Sequence, residues 1–178
     1  MGSSCSLSLS RHRSLPAPLS LPAVAQIHST IQEMWSELRD TNHYEQIGVQ
    51  FMICLLITHP ELKRLWIFCA QLETVDEMRS NSQLCYHAKK ITNTLNDLII
   101  HIDNPEKRKQ ILESLGKTHY QYDVKPVHFE FAKIAMDSAL TEVLRSDFTL
   151  KRKQAWSFFF QQIVVDLRYG VNQQEMLL

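Results

Sequence analysis

Glycine, proline and long apolar runs are scarce in this chain. Its 178 residues include 4 Gly and 6 Pro, and 44% of them are hydrophobic, which suffices for one domain with a sizeable core. The longest apolar run, FMICLLI at 51–57, is far shorter than the roughly 20 residues that cross a bilayer as a helix. We therefore expect a single domain without a membrane span.

A net charge is lacking as well. Nineteen basic side chains balance nineteen acidic ones, so no broad positive field is available to hold a polyanion, and we expect no nucleic acid among the partners. The four cysteines, at positions 5, 54, 69 and 85, show neither a CxxC pair nor the spacing of a zinc site, and no cleavable signal peptide precedes them. These absences predict an intracellular, mostly reduced protein.

Helical periodicity fills most of the remaining sequence. Residues 1–21 are rich in Ser and Pro and contain no acid, which predicts a tail. Apolar residues three or four apart predict an all-α domain of about seven helices over 22–170, followed by a short tail at 171–178. The polar residues 69–81 predict a loop with a short turn. The predicted helices cover about 22–39, 43–58, a short segment from Pro60, 82–102, Pro105 to about 119, and two further helices after Pro126.

Two histidines occupy positions that predict burial. His87 lies on the apolar face of the 82–102 helix, and His119 lies in the last turn before a helix breaker. Such a histidine is most often a core residue bonded to a carbonyl oxygen, and that interpretation stays open for each. The interval of 32 residues (119 minus 87) spans most of one helix, a Pro turn and a second helix running back, so both rings can face one slot.

A pair of imidazoles limits which cofactor fits this slot. Two imidazoles leave a bare metal ion under-coordinated, whereas a cofactor that brings four donors of its own needs only the pair. Haem is such a cofactor, and its flat ring needs an apolar slot with a polar mouth. Lys90 is placed to reach a propionate as a point charge. The apolar side chains that flank the histidines are Ile91, Leu115, Val124 and Phe129.

The order of these features resembles the globin family, and within it is similar to neuroglobin and the membrane-attached globin X. The resemblance covers about residues 22–170. It rests on Trp35, on Pro60 opening a short third helix, on the histidine interval, and on the segments HYQYDVKPVHF and FTLKRKQAWSFFFQQIVV. It implies a globin fold of seven to eight helices enclosing a b-type haem, with His119 as proximal ligand and His87 as distal residue.

One position departs from the family pattern. The phenylalanine that stacks on haem in globins falls at Trp66, with Phe68 two residues later. Either the larger indole takes the stacking role, or the register shifts and Phe68 takes it, or both are ordinary core aromatics. The family also places a distal-pocket side chain at Met52, where plain core packing is an equal interpretation.

The first residues, MGSSCS, match an acylation signal. Gly2 is followed by small residues with Ser6 in the position favoured for N-myristoylation, and Cys5 is suited to palmitoylation. Since one acyl chain attaches a protein only weakly, the second chain and the nearby Arg11 and Arg13 would strengthen the attachment. We expect a lipid-anchored protein on the cytoplasmic face of the plasma membrane; the alternative is a chance match.

The thiols at Cys69 and Cys85 flank the loop before the helix that carries His87. Neuroglobin has a redox-active disulfide in that general region, although its positions differ, and two unpaired thiols are the favoured interpretation here. A bridge between them would pull on the helix that carries His87 and so link thiol oxidation to iron ligation.

The resemblance implies a haem globin that binds oxygen or other diatomic gases, or acts in redox signalling or electron transfer at a membrane surface. His87 either binds the iron or only hydrogen-bonds a bound gas, and the sequence leaves both open. Turnover as a nitrite reductase or peroxidase would need a separate reductase, since no dinucleotide fingerprint such as GxGxxG is present. The alternative is a haem-free, membrane-anchored helical interaction module.

Overall fold

The structure is a computed structural model that describes residues 20–41 and 43–176. Over those ranges the chain forms seven α-helices and three short 3-10 helices, without a β-strand, which confirms the predicted all-α class. No helix in the described ranges is both long and apolar enough to span a membrane. The α-helices are α1 (Leu21–Asp40), α2 (Tyr44–Thr58), α3 (Val75–Ser80), α4 (Ser82–Ile100), α5 (Pro105–Gln121), α6 (Pro126–Leu144) and α7 (Leu150–Glu175), and the 3-10 helices cover Pro60–Leu65, Ile67–Cys69 and Arg145–Asp147.

Helices α2 and α7 make most of the contacts that hold the other helices together. α2 packs against α4 and α6, while α7 packs against α1, α5 and α6. The rings of Trp35 on α1 and Trp156 on α7 stack 6.1 Å apart with their planes within 9°, and both are fully buried. Within the described ranges α4 and α5 are not one of the main packed pairs, so each is positioned by other helices.

One prediction about the secondary structure was wrong. Residues 69–81 contain the six-residue helix α3 in addition to a loop. Thr74 and Glu77 cap the N-terminus of this helix with a reciprocal capping box. The signature of that box, a Thr three residues before a Glu, stood in the sequence but was hidden by the polar composition. The last helix continues to Glu175, into the segment 171–178 that was expected to be a tail, and Val171 is fully buried.

Three glycines allow helices to touch backbone to backbone. A Cβ on Gly48 of α2 would lie 2.4 Å from the carbonyl oxygen of Ala88 on α4. A Cβ on Gly116 of α5 would lie 2.4 Å from the Leu167 carbonyl oxygen on α7, and one on Gly170 would lie 2.6 Å from the Glu113 carbonyl oxygen on α5. These contacts therefore fix how near α4, which carries His87, lies to α2, and how near α5, which carries His119, lies to α7. Any side chain at the three glycine positions would increase these distances.

Candidate functional site

His119 is held by its own helix. α5 begins with Asn104, whose side chain accepts a hydrogen bond from the Lys107 amide, and with Pro105 at its first position, as predicted for this turn. At the other end the His119 carbonyl accepts hydrogen bonds from the amides of Tyr122 and Val124 at 3.0 and 3.1 Å. The turn needs Asp123 at a positive φ of 61°. This turn ends the helix two residues after the histidine, at Gln121.

The tautomer of His119 follows from one hydrogen bond. Its Nδ1 lies 2.8 Å from the carbonyl oxygen of Leu115, one turn earlier on α5. Because a carbonyl oxygen only accepts, Nδ1 carries the proton and donates it. The Nε2 atom of the neutral ring then keeps a lone pair, which is the state in which imidazole binds a metal.

His87 is positioned by packing alone. Asn81 caps α4 by accepting a hydrogen bond from the Leu84 amide at 2.9 Å, and Gly48 holds the helix against α2. The half-buried His87 ring meets the Trp66 ring edge-on, with centroids 5.4 Å apart and planes at 62°. Among the residues that the structure describes, no side chain or carbonyl forms a hydrogen bond with the His87 ring.

Both imidazoles are neutral at physiological pH. Burial, repulsion from His119 and repulsion from Lys90 lower the pKa of His87 from 6.5 to about 4. Burial also lowers the pKa of His119, although its bond to the Leu115 carbonyl opposes the shift. The charge of His119 is thus one of the causes that lower the pKa of His87, so the two side chains lie within electrostatic reach of each other.

The slot between the histidines has aromatic walls. Phe129 meets the His119 ring edge-on at 5.5 Å, as Trp66 meets His87 on the other side. Val124 and Phe129 are buried, whereas the other predicted apolar wall residues are half-buried. The half-buried wall residues are Trp66, Phe68, Ile91 and Leu115.

Other predicted site residues lie elsewhere. The exposed Lys90 ammonium lies 4.6 Å from the centroid of the Tyr86 ring, and its charge still reaches His87. Met52 is fully buried within α2 and belongs to the core. Cys69 and Cys85 are both free, which agrees with the favoured interpretation of unpaired thiols. Gly2 and Cys5 lie outside the described residues.

The glycines at the helix crossings were missed by sequence reasoning. A signal was present, because only 4 glycines occur in the chain and three of them, Gly48, Gly116 and Gly170, fall inside helices. A glycine there costs about 1 kcal/mol of helix propensity. Such a cost indicates a close contact, although the sequence does not say with which helix.

The donor set of the slot fits haem better than a bare metal ion. In the described ranges, no group of three or more His, Cys, Asp or Glu side chains is placed to hold a metal ion. Two neutral imidazoles on facing helices, with one Nε2 left unprotonated by the Leu115 bond, match a cofactor that supplies four donors itself. The aromatic and aliphatic walls match its flat apolar ring.

Comparison with known proteins agrees with this geometry. The family model described as Globin matches residues 49–167, a range that contains both histidines and all the slot residues. Cytoglobin-2 from Danio rerio is 27% identical over 128 residues, which cover 71% of this chain and 70% of the relative. Globin-1 from Petromyzon marinus is 27% identical over 124 residues, 68% of this chain and 81% of the relative. An anaerobic nitrite reductase from Gossypium hirsutum is 23% identical over 126 residues, 69% and 76% respectively.

Proposed function

Because the chain belongs to the globin family, we propose that it holds a b-type haem between His119 and His87 and binds diatomic gases there. Family membership supports a haem-binding, gas-binding globin. The haem type and the roles of the two histidines are the added proposal. The observation that carries it is the pair of neutral imidazoles, of which His119 has its Nδ1 engaged and its Nε2 left as a ligand atom.

The residues around the slot have separable roles in this proposal. Haem would supply an iron centre that binds imidazoles and diatomic gases. His119 provides the fixed protein ligand, since the Leu115 carbonyl sets its ring orientation. Phe129 and Val124 exclude water on the proximal side. Trp66 is the wall residue in contact with His87, which supports the indole rather than Phe68 in the stacking role.

We further propose that His87 occupies the second axial position when no gas is present. Its ring has no hydrogen-bond partner among the described residues, and an unpaired half-buried imidazole is costly, by roughly 1 to 3 kcal/mol. A gas then reaches this position only when His87 moves away. The apparent gas affinity falls by the fraction of time that the position is open. Such a site suits redox exchange or sensing better than bulk storage.

Haem titration of the full chain tests the proximal role. We expect wild-type protein to take up one haem per chain, and His119→Ala to lose stable incorporation, because its imidazole is the fixed bond to the cofactor. His101→Ala is the matched control, since His101 makes the same Nδ1 contact, 2.8 Å to the carbonyl oxygen of Asp97 one turn earlier, outside the slot. A haem-free wild type would instead favour the helical interaction module. Retention of haem with an unchanged spectrum in His119→Ala would remove His119 from this role.

A redox activity extends the proposal. One relative carries the name anaerobic nitrite reductase, and nitrite would compete with His87 for the haem. We expect the reduced wild type to react with nitrite slowly under anaerobic conditions and His87→Leu to react faster. Repeated turnover would require an external electron donor. Equal rates in the two proteins would show that His87 does not control the reaction with nitrite.

Attachment to a membrane is proposed on the sequence alone. Gly2, Cys5 and two arginines lie in residues 1–19, outside the described ranges, and their pattern supports dual acylation at the cytoplasmic face of the plasma membrane. We expect Gly2→Ala to move the full chain from the membrane to the soluble fraction, and Cys5→Ser to leave partial attachment. A wild type that is soluble in native cells would overturn this proposal and leave the haem proposal untouched.

A further inference from the structure

A groove of about 660 Å³ opens on the face of α4 that points away from the slot. Positions 82, 85, 86 and 89 of α4 line it, and they share one helix face because residues three and four apart are neighbours on a helix. His87 is not among the residues that line it. Helices α2, α3 and α6 form the other walls. The groove is therefore a separate feature with its own chemistry.

A reactive group lies in the wall of this groove. The half-buried thiol of Cys85 lines it, and its Sγ donates a hydrogen bond to the carbonyl oxygen of Arg79 at 3.3 Å. The other two thiols in the described ranges are disfavoured. Burial raises the pKa of Cys69 to about 11, and burial also raises the pKa of Cys54. Cys85 is the one that a ligand in the groove would meet.

The charged side chains of the groove define its ligand. The Arg79 guanidinium donates to Oε1 of Gln50 at 3.2 Å, its one side-chain hydrogen bond within the described residues, so most of its five N–H donors remain for a ligand. The Lys89 ammonium lies 3.1 Å from the Glu45 carboxylate, and both side chains are well exposed. The groove thus presents one guanidinium with free donors and one Lys89–Glu45 ion pair around a thiol.

We propose that this groove binds a small disulfide of the glutathione class and that Cys85 is the thiol it modifies. Each glutathione half carries two carboxylates and one ammonium. One carboxylate can bind the free donors of Arg79, while the second carboxylate and the ammonium can exchange partners with the ion pair of Lys89 and Glu45. The volume of about 660 Å³ lies within the range of roughly 300–1,000 Å³ that is usual for small-molecule sites. The Ser82 hydroxyl adds a hydrogen-bonding group at the same wall.

The chemical step is thiol–disulfide exchange. The Cys85 sulfur, having given up its proton, attacks one sulfur of the oxidised ligand, so that a bond between Cys85 and that sulfur forms and the disulfide bond of the ligand breaks. The departing half leaves as a thiolate and takes up one proton. The Cys85 sulfur is oxidised and the departing half is reduced, so the disulfide is the only oxidant needed.

Two disulfides of different charge test the proposal on the full chain. Oxidised glutathione and the neutral bis(2-hydroxyethyl) disulfide are mixed with the protein, and the modified cysteine is located by peptide mass spectrometry. We expect oxidised glutathione to modify Cys85 in preference to Cys54 and Cys69. The rate at which oxidised glutathione modifies Cys85 should fall roughly two- to fivefold in Arg79→Gln, and also in Lys89→Gln, which is the usual effect of removing one exposed charge. The rate of modification by the neutral disulfide should stay unchanged in both variants.

Three results would overturn the proposal. Modification of Cys54 or Cys69 before Cys85 would show that Cys85 is not the thiol that the ligand modifies. Equal slowing of the charged and neutral disulfides in the variants would show a general change in access. Unchanged rates with oxidised glutathione in both variants would leave Cys85 as an accessible thiol without a binding groove.

A non-reacting ligand separates binding from chemistry. S-methylglutathione cannot exchange, so its binding to Cys85→Ser reports the groove alone by isothermal titration calorimetry. We expect saturable binding that weakens in Cys85→Ser combined with Arg79→Gln, and weakens further with added salt. Binding that is not saturable, or that is unaffected by the loss of Arg79, would overturn the recognition part of the proposal.

Discussion

The helices on the two sides of the slot are held in different ways. On the proximal side, Gly116 and Gly170 bring α5 and α7 into reciprocal backbone contact, and the His119 ring is fixed by a 2.8 Å hydrogen bond. On the distal side, Gly48 alone brings α2 against α4, and the His87 ring has an aromatic contact but no hydrogen bond among the described residues. The proximal imidazole is thus preoriented, while the distal imidazole is held by packing alone.

The difference indicates which ligand moves. Reorienting His119 would break a hydrogen bond worth about 1 kcal/mol and would leave the Leu115 carbonyl without that partner. Turning His87 breaks no hydrogen bond among the described residues and disturbs its contact with Trp66. If both histidines bind the haem iron as proposed, we therefore expect His87 rather than His119 to leave when a gas binds.

The largest expected effect is on the glycine crossing of the proximal side. Gly116→Ala places a methyl group 2.4 Å from the Leu167 carbonyl oxygen, so α5 must separate from α7. We expect the free energy of unfolding of the haem-free protein to fall by about 3 kcal/mol, measured by urea denaturation. Ser114→Ala, an exposed change on the same helix, is the control and should be nearly neutral. Equal stability of Gly116→Ala and wild type would mean that the crossing does not fix α5.

A smaller effect is expected on acid stability, through His87. Its pKa is lowered from 6.5 to about 4 in the folded protein, so the unfolded chain binds the proton more tightly. The haem-free protein should hold its full stability above pH 6.5 and lose about 2 kcal/mol as the pH falls towards 4, after allowance for partial exposure. His87→Leu should flatten the stability profile in this window. A profile in His87→Leu as steep as that of wild type would assign the acid loss to other groups.

The smallest effect concerns the two aromatic contacts. Trp66 with His87 and Phe129 with His119 have nearly the same edge-on geometry, at 5.4 and 5.5 Å. Double-mutant cycles on the haem-free protein should give each pair a coupling of roughly 0.5 to 1.5 kcal/mol. The cycle between Phe68 and His87 is the matched control and should give a coupling near zero. A larger coupling for Phe68 than for Trp66 would move the stacking role to Phe68.

Much of the fold could be predicted from local patterns. The apolar stripe of α4 includes Leu84, Ala88 and Leu95, which are all buried as expected, and Asn104 with Pro105 begins α5 as its sequence indicates. These features depend on residues close together in the chain. Helix α3 was missed because its capping box begins a polar segment, in which hydrophobic periodicity carries no signal.

The site was predictable in its members but not in its arrangement. His87 and His119 stand out because each is a polar residue in an apolar helical pattern. The choice between Trp66 and Phe68 depends on a contact with His87, some 20 residues away, and no local pattern encodes it. The same holds for Gly116 and Gly170, whose partner backbones lie on a distant segment of the chain. Only the packed structure brings these residues together.

The most direct test of a fixed proximal and a displaceable distal histidine is the binding of carbon monoxide to the reduced, haem-loaded protein. We predict a low-spin, six-coordinate spectrum for wild type in the absence of gas, and a binding rate that levels off with carbon monoxide concentration because His87 must leave first. His87→Leu should show a five-coordinate spectrum and a faster rate that rises linearly with concentration. A five-coordinate wild type that binds carbon monoxide at the same rate as His87→Leu would contradict the account.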